Sequence, residues 1–206
     1  MIPILVEYQY FPSLTYLAAL SHSTHIIFYT YDQFRKMSFR NRCVIAGANG
    51  PLLLTVPLKG GRDQKSFSKE IEIDNRIRWQ SSHWKSICSA YNHSPWFDQY
   101  RDSLQPIFEN QYQLLNDLSL DVFEWILNQL GWHFTHTSGD VPDREFIDLR
   151  NTFTPKNTRV NPIPYVYRQV FQERIGFLPN LSVIDLIFCI GPRAGELLKQ
   201  ATPFQL

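Results

Sequence analysis

Short apolar runs separated by polar turns occupy the first third of the chain, and longer amphipathic stretches fill the rest. Residues 2–6 are a continuous apolar run, which suits a strand buried on both faces. Residues 13–20 predict a short helix led by Pro12, with Ser13 or Thr15 placed to cap it. Residues 25–31 (HIIFYTY) are rich in β-branched and aromatic side chains and predict a second strand. Strand, helix, strand is the order in which a helical crossover joins two parallel strands. Residues 39–46 and 52–58 predict two further strands, joined through Asn49-Gly50, a strong hairpin signal. Pro57 limits the fourth of these to an edge or a strand end. A polar loop follows over 60–69, then a brief edge-like run over 71–73.

Helical spacing takes over from there. Residues 77–91 place Ile77, Trp84, Ile87, Cys88 and Tyr91 near one face, and Pro95 ends the segment. Residues 97–112 carry Tyr100, Leu104, Ile107 and Phe108 on one side, with a break expected at Pro106. Ser119 is the expected cap of the next helix, which buries Val122, Trp125, Ile126 and Leu130 and stops at Gly131. Residues 132–137 predict a late strand. Residues 139–164 are polar and hold four prolines, and connections of that length are usually functional or mobile. Order is expected to return over 165–171. Ser182 and Asp185 read as a capping-box-like start to a helix ending before Gly191-Pro192, with a last helix over 193–200. The expected architecture is α/β, with a mixed α+β arrangement as its variant. A small N-terminal mixed β-sheet with a hairpin (1–75) is covered by a mainly helical half (76–206), and 1–206 form a single domain.

Composition adjusts this picture little. The 206 residues hold 15 Phe, 10 Tyr and 5 Trp, enough rings to fill an aromatic core and to furnish a pocket or interface besides. A formal net charge of +1 gives no global field for nucleic acid or an anionic membrane, so any anion site must be local. Cys43, Cys88 and Cys189 are too widely spaced for a disulfide framework or a zinc site and read as reduced, buried thiols. The opening residues lack a basic region and a small-residue cleavage site, and no apolar run reaches membrane-spanning length. A cytoplasmic protein without membrane insertion is the expectation.

Four cations, Arg35, Lys36, Arg40 and Arg42, fall within eight positions. On a strand over 39–46, Arg40 and Arg42 share one face and Asn41 takes the other. Two guanidiniums on a rigid face suit a phosphate or carboxylate ligand. A solvated face paired with acids such as Asp32 or Glu7 stands beside that reading as its equal. His83 lies four residues after Trp79 on one helix face, where it is a structural residue or a general base titrating near neutrality. Asp185 is a candidate catalytic carboxylate, with the capping box as the simpler explanation. His133 and His136 face opposite sides of a strand, so no metal site is expected. The chain has no dinucleotide, P-loop, serine-hydrolase or paired-CxxC motif.

Several short motifs, in order, carry a resemblance. They are P-x-x-x-Y at 12–16, D-Q-F-x-K-x-S-F-x-N-R at 32–42, L-T-V-P at 54–57 and I-x-I-D at 71–74. W-x-x-x-H at 79–83, Y-N-x-S-P-x-F at 91–97, Y-x-Q-V-F at 167–171 and L-S-V-I-D-L-I-F at 181–188 continue the series. Together they resemble the WbqC-like family of bacteria, whose genes lie among those for surface polysaccharide. Glu7-Tyr8 stands where the family often has Gln-Pro, and Thr15 where it often has Gly. The resemblance implies an enzyme of surface-polysaccharide biosynthesis, an acyl or glycyl transferase acting on a nucleotide-linked amino sugar. It places Arg42, His83 and Asp185 inside family motifs as functional residues, with His83 and Asp185 as the catalytic candidates. Arg40, Asn41, Lys36, Tyr16, Trp79 and Tyr91 complete the expected ligand-binding set, and the ligand is ATP or a nucleotide-sugar. A non-catalytic module of glycan assembly is the alternative, motivated by the aromatic surplus. A second alternative is a nucleotide-binding protein with a nucleotidyltransferase-like fold, although no histidine lies between Pro3 and Leu20 to form the H-x-G-H signature.

Overall fold

The computed structural model describes residues 2–61, 63–156 and 166–200. β1 (Ile4–Val6) and β2 (His25–Tyr29) pair in parallel, joined by α1 (Leu14–Leu20). β3 (Arg42–Gly47) and β4 (Gly50–Thr55) form an antiparallel hairpin in register from Arg42–Thr55 to Gly47–Gly50. Gly50, which closes the Ala48-Asn49 turn opposite Gly47, adopts φ 128°, a backbone that only glycine takes up readily. Helices α2 (Trp79–Tyr91), α3 (Phe97–Glu109) and α4 (Leu115–Leu130) follow. β5 (Thr135–Gly139) and β6 (Ile147–Asp148) come next, then α5 (Gln172–Ile175), α6 (Val183–Ile190) and α7 (Ala194–Lys199).

The architecture is α/β, with N-terminal strands and a helical second half. Its main sheet is wholly parallel, in the order β5-β2-β1-β6, and the hairpin is a separate two-stranded sheet. Two of the four parallel strands therefore come from beyond residue 130. β6 lies inside the stretch expected to be a loop over 139–164; the later part of that stretch, 157–164, and Tyr165 fall outside the described residues.

One apolar cluster runs from Ile4 to Leu198. The Phe28 ring on β2 meets Phe123 of α4 edge-on at 5.0 Å, seating that helix on the sheet. α1 is tied to α6 by backbone bonds, Leu14 N–H to the Leu181 carbonyl and Val183 N–H to the Pro12 carbonyl. Three expected local signals act differently in the structure. α3 continues through Pro106, which lies on the exposed side of the helix. α4 starts at Leu115, because the Leu115 N–H is already bonded to the Ile71 carbonyl; Ser119 sits inside the helix and donates to the Leu115 carbonyl. Ser182 makes no side-chain cap, since its hydroxyl donates to the Phe11 carbonyl instead.

Candidate functional site

In an open parallel sheet, ligands bind beyond the carboxyl ends of the strands, where the strand order reverses. Here the chain moves outward from β1 to β2 and β5, then returns to the other side of β1 with β6, so the reversal lies between β1 and β6. Beyond those ends stand Glu7 and Gln9 from β1, and Asn151 and Phe153 following β6. The Asn151 N–H donates to Glu7 Oε2 at 2.8 Å. Gln9 Nε2 donates to Glu7 Oε1 at 3.5 Å and to the Phe153 carbonyl at 3.3 Å. Arg40 completes the cluster. Its guanidinium pairs with Asp32 beyond β2 through both nitrogens, and donates to Ser68 Oγ at 3.1 Å and Asn151 Oδ1 at 3.4 Å.

This cluster is nearly dry: Glu7 is 3 % exposed, Gln9 3 % and Arg40 2 %. Burial pushes the Glu7 carboxyl above the usual carboxylate range, and the positive charge of Arg40 opposes the shift. Two buried atoms, Gln9 Oε1 and Arg40 Nε, have no hydrogen-bond partner among the described residues. Buried polar atoms are rarely left so. Asn151, which roofs Glu7, holds a left-handed backbone at φ 59°.

Around the cluster runs a more open rim. Lys69 lies 3.8 Å from the centroid of the Tyr31 ring, which is 42 % exposed. Arg150 lies 4.5 Å from the Tyr29 ring and is held by a forked pair with Asp148 at 3.0 and 2.7 Å. Tyr8 and Ser138 share a hydrogen bond of 2.6 Å between β1 and β5. Cations lying over aromatic rings, beside a buried acid, can receive a flat or anionic ligand and move a proton.

The residues expected from sequence are placed differently. Arg40 and Arg42 do not share a strand face, because β3 begins at Arg42 and residues 38–41 are bent. The bend is fixed by Tyr10 N–H bonding the Phe39 carbonyl and Asn41 Nδ2 bonding the Val56 carbonyl at 2.9 Å. Arg40 is paired with Asp32, one of the two acids expected beside it. Arg42 lines an apolar groove on the hairpin, away from Arg40's cluster. Lys36 is exposed and paired with Asp63 at 2.6 Å. Tyr16 is buried and donates to the Glu7 backbone carbonyl at 2.7 Å.

His83 and Asp185 are sealed in separate places. His83 is 5 % exposed, with Nδ1 at 3.0 Å from the Tyr10 hydroxyl and its ring packed edge-on to Trp79 at 5.3 Å. Burial lowers its pKa to about 4, so it is a neutral ring with little basicity. Asp185 is 0 % exposed. It accepts from the hydroxyls of Tyr91 at 2.8 Å and Tyr167 at 2.6 Å, and from Gln169 Nε2 at 3.2 Å. Those partners, not a capping box, account for it. Tyr91 also accepts the Ala46 N–H at 3.1 Å, which fastens β3 to the same knot. The structure brings Tyr91 to Asp185 and Trp79 to His83; the groove lined by Arg42 contains none of the four. Glu7, Gln9, Asn151 and Arg150 carried the missed signal. An acid and an amide directly after the first strand of a βαβ unit already lie where such sheets bind ligands.

The comparisons with known proteins come to the same lineage. A family model described as the WbqC-like protein family matches residues 8–140. A protein of Mycobacterium tuberculosis named "Uncharacterized protein Rv1507c" is 27 % identical over 226 aligned positions, covering 95 % of this chain and 96 % of that one. No solved structure matches. The matched span runs from α1 through β5, well over half of the chain, and the chain belongs to the WbqC-like protein family.

Proposed function

We propose that the protein is an acyl or aminoacyl transferase of surface-glycan assembly, acting on a nucleotide-linked amino sugar bound at the carboxyl edge of the parallel sheet. The observation that carries this reading is Glu7: a carboxyl raised by burial, at the strand-order reversal, beside buried polar atoms that lack partners. Family membership supplies the glycan context. An amino sugar attacks only as the neutral amine, and a carboxyl raised toward the working pH takes a proton from an ammonium more readily than an ordinary one. In the transfer, the amine nitrogen bonds the donor's acyl carbon, the bond from that carbon to its leaving group breaks, and the amine's proton passes to Glu7. Tyr29 and Tyr31 offer ring faces to the base or sugar, and Arg150 and Lys69 offer charge to a diphosphate.

This reading moves the base from His83 to Glu7, because burial lowers the basicity of His83 and raises that of Glu7. The alternative of a non-catalytic module keeps only part of its motive: Trp79, Trp125 and Trp132 are buried, while Trp84 and Trp96 are half-buried. Calorimetric titration with UDP- and dTDP-linked amino sugars tests the binding half. Glu7→Gln is expected to keep binding and abolish transfer, while Arg150→Ala weakens binding about 10-fold or more. If no nucleotide-sugar binds, or if Glu7→Gln transfers at the wild-type rate, the reading fails.

A further inference from the structure

β4 has β3 on one side and no strand on the other. The bond from the Val56 N–H to the Asn41 carbonyl fixes the alternation along the hairpin. Leu52 and Leu54 turn their backbone groups inward to β3, and Pro51, Leu53 and Thr55 turn theirs outward. On β3 the outward groups are used: the Val44 carbonyl accepts the Ser182 N–H at 2.7 Å, and the Ala46 N–H donates to the Tyr91 hydroxyl at 3.1 Å. On β4 the Leu53 N–H and carbonyl, the Thr55 N–H and the Pro51 carbonyl have no partner among the described residues. The Thr55 carbonyl differs, because the buried His83 ring bonds it. Pro51, Leu52, Leu53 and Thr55 are all exposed, Leu53 at 50 %.

Sheets guard such edges with charged side chains, bulges or a covering segment. Here residues 43–58 hold no charged side chain, and the hairpin register runs without a bulge. The free groups are their own complement. Turned about a two-fold axis at Leu53, two β4 strands lie antiparallel, with Leu53 opposite Leu53 and Pro51 opposite Thr55. The two Leu53 residues then exchange both of their bonds, and each Thr55 N–H meets the Pro51 carbonyl of the other copy. Pro51 has no N–H to give, and the Thr55 carbonyl it faces is the one that His83 already holds. An arbitrary extended peptide would set an unsatisfied carbonyl against Pro51; a second copy does not. The missing charge suits the same partner, because a two-fold axis sets each residue near it against its own copy, and like charges there repel.

We propose that two copies of the chain pair through β4, Leu53 against Leu53, so that their hairpins join into one four-stranded antiparallel sheet. The proposal is independent of the transfer reaction assigned above, and a failure of either leaves the other standing. Equilibrium sedimentation of the full chain, up to millimolar concentration, tests it. A concentration-dependent dimer is expected, with hydrogen exchange at the Leu53 and Thr55 amides slowing as it forms. Leu53→Asp and Leu53→Lys each set like charges together at the axis and are expected to weaken the dimer about 10-fold or more. An equimolar mixture of the two variants sets opposite charges there and is expected to recover the dimer, which also shows that both variants fold. The proposal is overturned if the wild-type chain stays monomeric or takes only other partners on this edge. It is overturned equally if either variant dimerises as wild type does, or if their mixture assembles no better than each alone.

Discussion

Replacing Tyr91 by Phe removes one oxygen atom and opens no cavity, so it isolates the hydrogen bonds of the knot that joins α2, β3 and α6. Tyr91 is fully buried, with its ring 5.2 Å from that of Phe188. Its hydroxyl accepts the Ala46 N–H at 3.1 Å, so its own proton points to Asp185 Oδ1 at 2.8 Å. Tyr167 is arranged alike, accepting from Gln169 Nε2 at 3.1 Å and donating to Asp185 Oδ2. Three donors on one carboxyl favour its ionised form, while burial raises its pKa overall. Deleting the Tyr91 oxygen orphans a buried amide, at about 1–3 kcal/mol, and removes a donor from the carboxylate, at about 1.5–3 kcal/mol. Both losses fall on one atom and do not simply add; a net of about 2–5 kcal/mol follows. For a chain of this size that lowers the melting temperature by about 5–15 °C. Tyr167→Phe is expected to cost less, because Gln169 still donates to Oδ2 at 3.2 Å. The pH dependence carries the sharper test. With the folded pKa of Asp185 raised, part of the stability is present in acid and is lost as pH rises through that value. Removing a donor raises it further, so the variant's deficit grows with pH. Chemical unfolding at about pH 5 and about pH 8 measures this. A Tyr91→Phe deficit under about 1 kcal/mol, or one that shrinks as pH rises, refutes the assignment of a donor-held Asp185.

Two further outcomes follow from buried contacts. His83, lowered from 6.5 to about 4, contributes stability that is present above the unfolded value and lost as pH falls from 6.5 toward 4; over that interval it accounts for about 3 kcal/mol, and His83→Gln should flatten the acid limb of the stability curve. Gly191 has φ 61° and approaches the Trp96 ring so closely that a Cβ there would lie 2.3 Å from it; Gly191→Ala should cost about 2 kcal/mol or more and shift Trp fluorescence, and an unchanged melting curve would contradict that packing.

The sequence showed the repeating units of this fold more clearly than their assembly. Apolar runs located β1 and β2, Asn49-Gly50 located the hairpin, and Gly131 in its left-handed cap ended α4 where spacing said it would. β6 was missed because two residues, Ile147 and Asp148, carry no periodicity; only its register with Ile4 and Leu5 defines it. Ser119 misled because the bond from the Leu115 N–H to the Ile71 carbonyl sets the start of α4 earlier, and Pro106 because it sits on the exposed side of a helix held by its buried face. The same limit governs the site. Alternation put Arg40 beside Arg42, but the Asn41 and Phe39 bonds bend the chain before alternation applies. Glu7 was visible only as an acid near the arginines. Its importance comes from strand order, a property of the closed sheet that no local pattern encodes.

β1 occupies the interior of its sheet, between β2 and β6; β2 follows it closely in sequence and β6 only far downstream. During synthesis β1 therefore waits for about 140 residues more before its second edge is covered. Until then the nascent chain displays a bare, apolar parallel edge, the kind of surface that holdase chaperones bind and that pairs with neighbouring chains. Glu7 cannot be roofed before Asn151 arrives, so the acid at the candidate site is assembled only in the last stage of folding. Truncated chains ending before β6 should accordingly be insoluble rather than merely inactive.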